Sequence, residues 1–139
     1  MADQTMYGAP RTQLTITLLG ERTAMSVNTS YGTVEQAHPG MLFVCENYRF
    51  RNTGTSTPDL HQIYGQWIGA NGQTQQPQIA TVDCSDFGVG KQGQDIVLQP
   101  NPAPRQYVEG WVAVEVPAGP GVIQWSRNSD NMHLLRTPG

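Results

Sequence analysis

The chain has 139 residues and a formal net charge of −3, with 37% hydrophobic and only 14% charged side chains. That is the size of one domain with one core, whose polar surface must be built from Gln, Thr, Asn, Ser and Gly in place of charge. The acidic balance, with Lys91 the only lysine, excludes the basic stripe that nucleic-acid binding needs. No apolar run reaches the roughly 20 residues that span a bilayer as a helix.

Residues 1–12 hold Pro and Gly without apolar periodicity and are expected to form an extended N-terminal arm. Met1 to Gln13 lack the apolar stretch of a signal peptide. The start Ala2-Asp3-Gln4-Thr5 fits both a mature end left by a removed leader and a native start. Leu14, Ile16 and Leu18 alternate with Thr15 and Thr17, the period of a half-buried strand. A weaker strand is expected over Arg22 to Asn28, and His38-Pro39-Gly40 is a break.

Met41 to Phe50 is the longest apolar-rich run and reads as a central strand that stops at Asn52-Thr53-Gly54. Arg49 and Arg51 share one face of it, and two such arginines read as a solvated edge. Ile63 to Ile68 reads as a strand running into Ala70-Asn71-Gly72-Gln73, where Asn-Gly suits a type I′ hairpin. Gln73 to Gln78 would return antiparallel, Gln78 to Val82 is a further extended segment, and Ile96 to Leu98 is a short strand. Pro100, Pro102 and Pro104 make Gln99 to Arg105 a connection outside the ladders. Tyr107 to Val116 alternates, with Val112, Val114 and Val116 on one face and Trp111, Ala113 and Glu115 on the other. Val122 to Trp125 closes the domain at residue 126, and residues 127–139 are expected to be a tail. Seven to eight short strands with no helix-length amphipathic segment specify an all-β, immunoglobulin-like antiparallel sandwich over residues 13–126.

Chemistry is sparse along this pattern. His38, His61 and His133 lie far apart in no metal-ligand spacing; His61 and Asp59 with a distant His could form a metal site, but isolated loop histidines read as solvated, and neither cofactor nor metal is expected. Cys84 lies near Asp83 and Asp86, and carboxylates disfavour the thiolate a nucleophile needs. Asp83, Asp86 and Asp95 read as turn chemistry before a Ca²⁺ site. Gly88-Val89-Gly90-Lys91-Gln92-Gly93 lacks the order of a phosphate loop and reads as a surface loop. Cys45 and Cys84 have no CxxC spacing, and both a disulfide and two buried thiols fit them. Pairing would favour an exported protein. Trp67, Trp111 and Trp125 read mainly as core, yet Trp111 beside Tyr107 would anchor a partner if exposed.

The run Phe43-Val44-Cys45-Glu46-Asn47-Tyr48-Arg49-Phe50-Arg51-Asn52-Thr53-Gly54 resembles a strand and turn of small immunoglobulin-like, telokin-like bacterial domains. Ile68 to Gln73 looks like the hairpin of that family, and Gln99 to Trp125 like its closing strands. The resemblance covers about Gln13 to Trp125 and is similar to the secreted immunoprotective-antigen type of mycobacteria and related lipoproteins of unknown function. Pro102-Ala103-Pro104-Arg105 departs from the family's Pro-Gly-Glu, and the two cysteines lie outside its pattern. The resemblance implies no catalytic residue.

Two functional expectations follow. One is an exported, extracellular, non-catalytic binding or adhesion module with a protein partner, for which Tyr107, Trp111, Gly88, Gly90 and Lys91 are the candidate contacts. The other is a virion protein, a capsid decoration or tail-associated domain, whose arm binds neighbouring subunits in an assembly.

Overall fold

The computed structural model describes residues 3–8, 12–29, 32–70, 72–75, 78–79, 84–88, 95–127 and 133–136. Its strands are β1 (Asp3–Gly8), β2 (Thr12–Ala24), β3 (Ser26–Asn28), β4 (Val34–Gln36), β5 (Met41–Asn52) and β6 (Ile63–Gly69). They continue as β7 (Thr74–Gln75), β8 (Gln78–Ile79), β9 (Tyr107–Pro117), β10 (Gly121–Arg127) and β11 (His133–Arg136). A six-stranded sheet runs β11-β1-β2-β5-β9-β8, a three-stranded sheet runs β10-β6-β7, and β3 and β4 form a separate hairpin. The protein is an all-β sandwich in which every named strand pairing is antiparallel.

The core lies between the two large sheets because period-2 alternation sends every second side chain inward. From the six-stranded sheet come Leu14, Ile16, Val44, Tyr48, Phe50, Val114 and Val116; from the three-stranded sheet come Ile63, Trp67, Ile123 and Trp125. Leu60 and Ile96 fill the same cluster from the connections. Trp125 stands edge-on to Tyr48 and to Phe50, with ring centroids 5.2 Å away in each case, and so joins the two sheets. The Tyr48 hydroxyl donates to Glu46 Oε1 at 3.0 Å. Burial, and then the Glu46 carboxylate, push the phenol well above its ordinary range, so it stays a donor.

Several sequence expectations are corrected. Residues 3–8 are not a free arm: β1 pairs with β2 along Asp3 to Gly8 and with β11 along Gln4 to Tyr7. By the same pairing, residues 133–136 of the expected tail belong to the sheet. The strand expected over Arg22 to Asn28 is divided. Its first half continues β2, and Ser26–Asn28 turns away to pair with Val34–Gln36. Ile96–Leu98 is a 3₁₀ turn, because the Asp95 side chain accepts the Val97 N–H and caps it. Eleven strands are named where seven or eight were expected. The return strand after Gln73 is only Thr74–Gln75.

The hairpin at Asn71-Gly72 is also of another type. The Gly69 N–H bonds to the Gln73 carbonyl and the Gly72 N–H to the Gly69 carbonyl. Gly72 has φ +84°. This is a three-residue loop, a turn followed by a left-handed glycine, in place of the two-residue type I′ loop. At the other end of the sandwich, Asn52 accounts for the stop at Asn52-Thr53-Gly54. Its Nδ2 donates to the Ser56 and Pro102 carbonyls at 2.9 and 3.0 Å, and its Oδ1 accepts the Gly54 N–H at 2.9 Å.

One further tie holds the connection before β5 onto the sheet. Glu115, almost fully buried on β9, accepts the His38 backbone N–H at 2.8 Å and His38 Nδ1 at 2.7 Å. The backbone N–H first, and the imidazole after it, hold the Glu115 carboxyl below its ordinary range against the opposing effect of burial. A carboxyl depressed on folding stabilises the native state above its unfolded pKa, and the contribution disappears as pH falls through the folded value. Glu115→Gln is therefore expected to lower Tm by about 3–6 °C at pH 7, with the gap narrowing as pH falls through and below the ordinary carboxylate range. Thermal melts of both proteins from pH 3 to pH 7 check this, and a gap that does not narrow in acid would count against it.

Candidate functional site

Among the described residues, the outward face of the six-stranded sheet divides into a half covered by other segments and a bare half, which carries no described cover. Register places the rows across β2, β5 and β9 as Thr15–Arg51–Tyr107, Thr17–Arg49–Glu109, Gly20–Asn47–Trp111, Arg22–Cys45–Ala113 and Ala24–Phe43–Glu115. The register of β2 shifts between Leu18 and Gly20. This β-bulge exchanges the two faces, so Leu14, Ile16 and Leu18 point inward before it while Gly20, Arg22 and Ala24 lie outward after it.

On the covered half, Val27 and Phe43 are buried with Ala24, Ala37 and Phe87 against them. The 3₁₀ turn Cys84–Phe87 is fastened there by a disulfide between Cys84 and Cys45. Both cysteines are buried.

On the bare half, Tyr107 is 49% exposed. The guanidinium of Arg49 stands 4.9 Å and that of Arg51 4.8 Å from the centre of its ring. Arg49 also donates from Nε and Nη2 to Glu109 Oε1, at 3.0 and 2.7 Å. The Glu109 carboxylate raises the Arg49 pKa further. Trp111 is half-buried on the same face, two rows along. The result is an aromatic ring in contact with two planar cations, with an indole two rows farther along the same face. Side chains of these types can stack and hydrogen-bond.

The structure brings together only part of the expected site. Tyr107 and Trp111 share the bare half. Gly88 follows the tethered 3₁₀ turn at the covered half, and with φ +76° it adopts a left-handed conformation suited to glycine. Cys45 and Arg51 are six residues apart on β5, about 20 Å of extended strand, so Gly88 lies away from Tyr107. Gly90 and Lys91 lie outside the described residues. Arg49, Arg51 and Glu109 were missed as site residues. Their signal was the shared parity of Arg49 and Arg51 with Glu109 and Tyr107, which becomes informative only once β5 and β9 are known to pair.

Elsewhere, a cleft of about 290 Å³ is lined by Trp67, Gly69, Ala70, Gln73, Pro117, Ala118, Gly119 and Pro120. It is at the small end of ligand sites. Its lining carries no titratable side chain, so it offers no acid or base. His61 Nδ1 lies 3.4 Å from Asp59 Oδ1. Among the described residues no three His, Cys, Asp or Glu side chains group as metal ligands. No described helix is long and apolar enough to cross a membrane.

No protein-family model matches the chain, and no curated protein matches it. Among solved structures it is similar to a conserved hypothetical protein from Bacillus anthracis, at 10% identity and a TM-score of 0.53, over 95% of this chain and 96% of that one. An uncharacterized β-sandwich protein from Clostridium difficile 630 matches at 10% identity and a TM-score of 0.43, over 93% of this chain and 87% of that one. At such identity the first likeness concerns the fold alone.

Proposed function

We propose that the chain is an exported, non-catalytic binding module whose contact surface is the bare half of the six-stranded sheet. The observation that carries this reading is Tyr107, half-exposed, with the guanidinium groups of Arg49 and Arg51 at 4.9 and 4.8 Å from its ring centre. Tyr, Trp and Arg are the residues most enriched where binding energy concentrates. A ring already in contact with two guanidinium groups loses less freedom on docking than a free one. The Cys45–Cys84 disulfide supports an oxidising destination. Kinship with immunoglobulin-like, telokin-like secreted domains belongs to the same proposal and is supported by the order of the strand and turn segments. A virion role that used residues 1–12 as an arm would have to strip β1 from both β2 and β11.

A photo-crosslinking amino acid placed at Tyr107, and separately at Met25 on the exposed β2–β3 connection, tests the reading in the producing cells. A discrete protein adduct is expected from position 107 and not from position 25. Unlabelled wild-type chain should compete it away, and Trp111→Ala should compete at least about 10-fold less well while changing stability by no more than about 1 kcal/mol. Identical adducts from both positions would overturn the proposal.

A further inference from the structure

We infer that the bare face receives an acidic side chain from an extended segment of a protein partner, with Arg51 as the residue that takes the carboxylate. This rests on the face being a binding surface. Arg49 and Arg51 both contact Tyr107, but their charges stand differently. Arg49 is neutralised within its own sheet by two hydrogen bonds to Glu109. Arg51 is exposed and has no carboxylate within ion-pair distance among the described residues.

A guanidinium held over a ring face by its charge keeps the N–H groups that point away from the ring available as donors. That planar fork matches the two oxygens of a carboxylate. The three charged side chains described around Tyr107, Arg49, Arg51 and Glu109, sum to one positive charge on a chain whose net charge is −3. A polyanion would be repelled by the remainder of the chain, whereas a single carboxylate is drawn to this point. Glu109 sharpens the choice by repelling an acid that approaches Arg49.

The length of the face indicates a peptide. Tyr107 and Trp111 are four residues apart on β9, which is about 13 Å along a strand. A free small acid cannot touch both, but an extended segment of about four residues can. Thr15, opposite Arg51 in the register, adds a hydroxyl beside the expected carboxylate.

Two capped peptides, acetyl-Val-Glu-Val-Tyr-amide and its Gln counterpart, titrated into the full isotope-labelled chain, test this by NMR. The Glu peptide is expected to shift the Arg51 Nε–H and Trp111 indole N–H signals saturably, at least about 10-fold more tightly than the Gln peptide. Arg51→Gln should abolish that preference, and Arg51→Lys should restore it only in part. Equal affinities of the two peptides at these signals would overturn the carboxylate inference and leave the binding face standing. No saturable shift from either peptide would overturn both, and a tighter response to inorganic phosphate would overturn the acidic-segment inference alone.

Discussion

Removing the Cys45–Cys84 bond, by reduction or as Cys45→Ala with Cys84→Ala, is expected to lower the unfolding free energy by about 4 kcal/mol. The two cysteines are 39 residues apart, and opening a loop of that length returns roughly this much chain entropy to the unfolded state. The loss has a local part as well. Phe87 packs over Val27 and Phe43 because its 3₁₀ turn is tied at Cys84, and without the tie that small cluster faces water on one side. Urea titrations of oxidised and reduced protein check the magnitude, with a midpoint lower by about 2 M expected. Hydrogen exchange checks the location. Amides of Cys84–Phe87 and of the β3–β4 hairpin should lose protection far more than those of β6 and β10. A change below about 0.5 kcal/mol would show that the bond fastens nothing the fold depends on.

Trp125→Ala is expected to cost about 3–5 kcal/mol, the range for deleting a large buried aromatic side chain. Trp125 is 2% exposed and is the aromatic residue of the small sheet that meets both Tyr48 and Phe50 of the large one. Truncation leaves a cavity between the layers and removes two edge-to-face contacts, each worth about 0.5–1.5 kcal/mol beyond area burial. The matched control is Trp111→Ala, which should change stability by no more than about 1 kcal/mol because its side chain lies on the outward face. Thermal and urea unfolding of the two variants side by side give the comparison. Similar losses from both would contradict the assignment of Trp125 to the core and Trp111 to the surface.

The three tryptophans show how far a linear reading reaches. All three read mainly as core, which holds for Trp67 and Trp125 and not for Trp111, whose place came from alternation along β9. For Trp111 the same rule gave the side opposite Val112, Val114 and Val116, which the burial of Val114 and Val116 bears out. Whether that opposite side is covered could not be read locally, because the described cover, Val27, Ala37 and Phe87, comes from segments distant in the chain. Arg49 and Arg51 show the same limit. Read along β5 they are a solvated edge, and only pairing with β9 sets them around a ring 56 and 58 residues away.

By itself, then, the amino-acid order determined the β class, the central strand at Met41 to Phe50 and the inward face of β9. These follow from side-chain alternation, which is a local property of an extended chain. The tertiary structure alone decided the bulge after Leu18, the incorporation of β1 and β11 into the large sheet and the union of Cys45 with Cys84. It also decided which half of the outward face stays bare. Each of those depends on hydrogen bonds or contacts between segments distant in the chain, and residue periodicity carries no record of a partner strand.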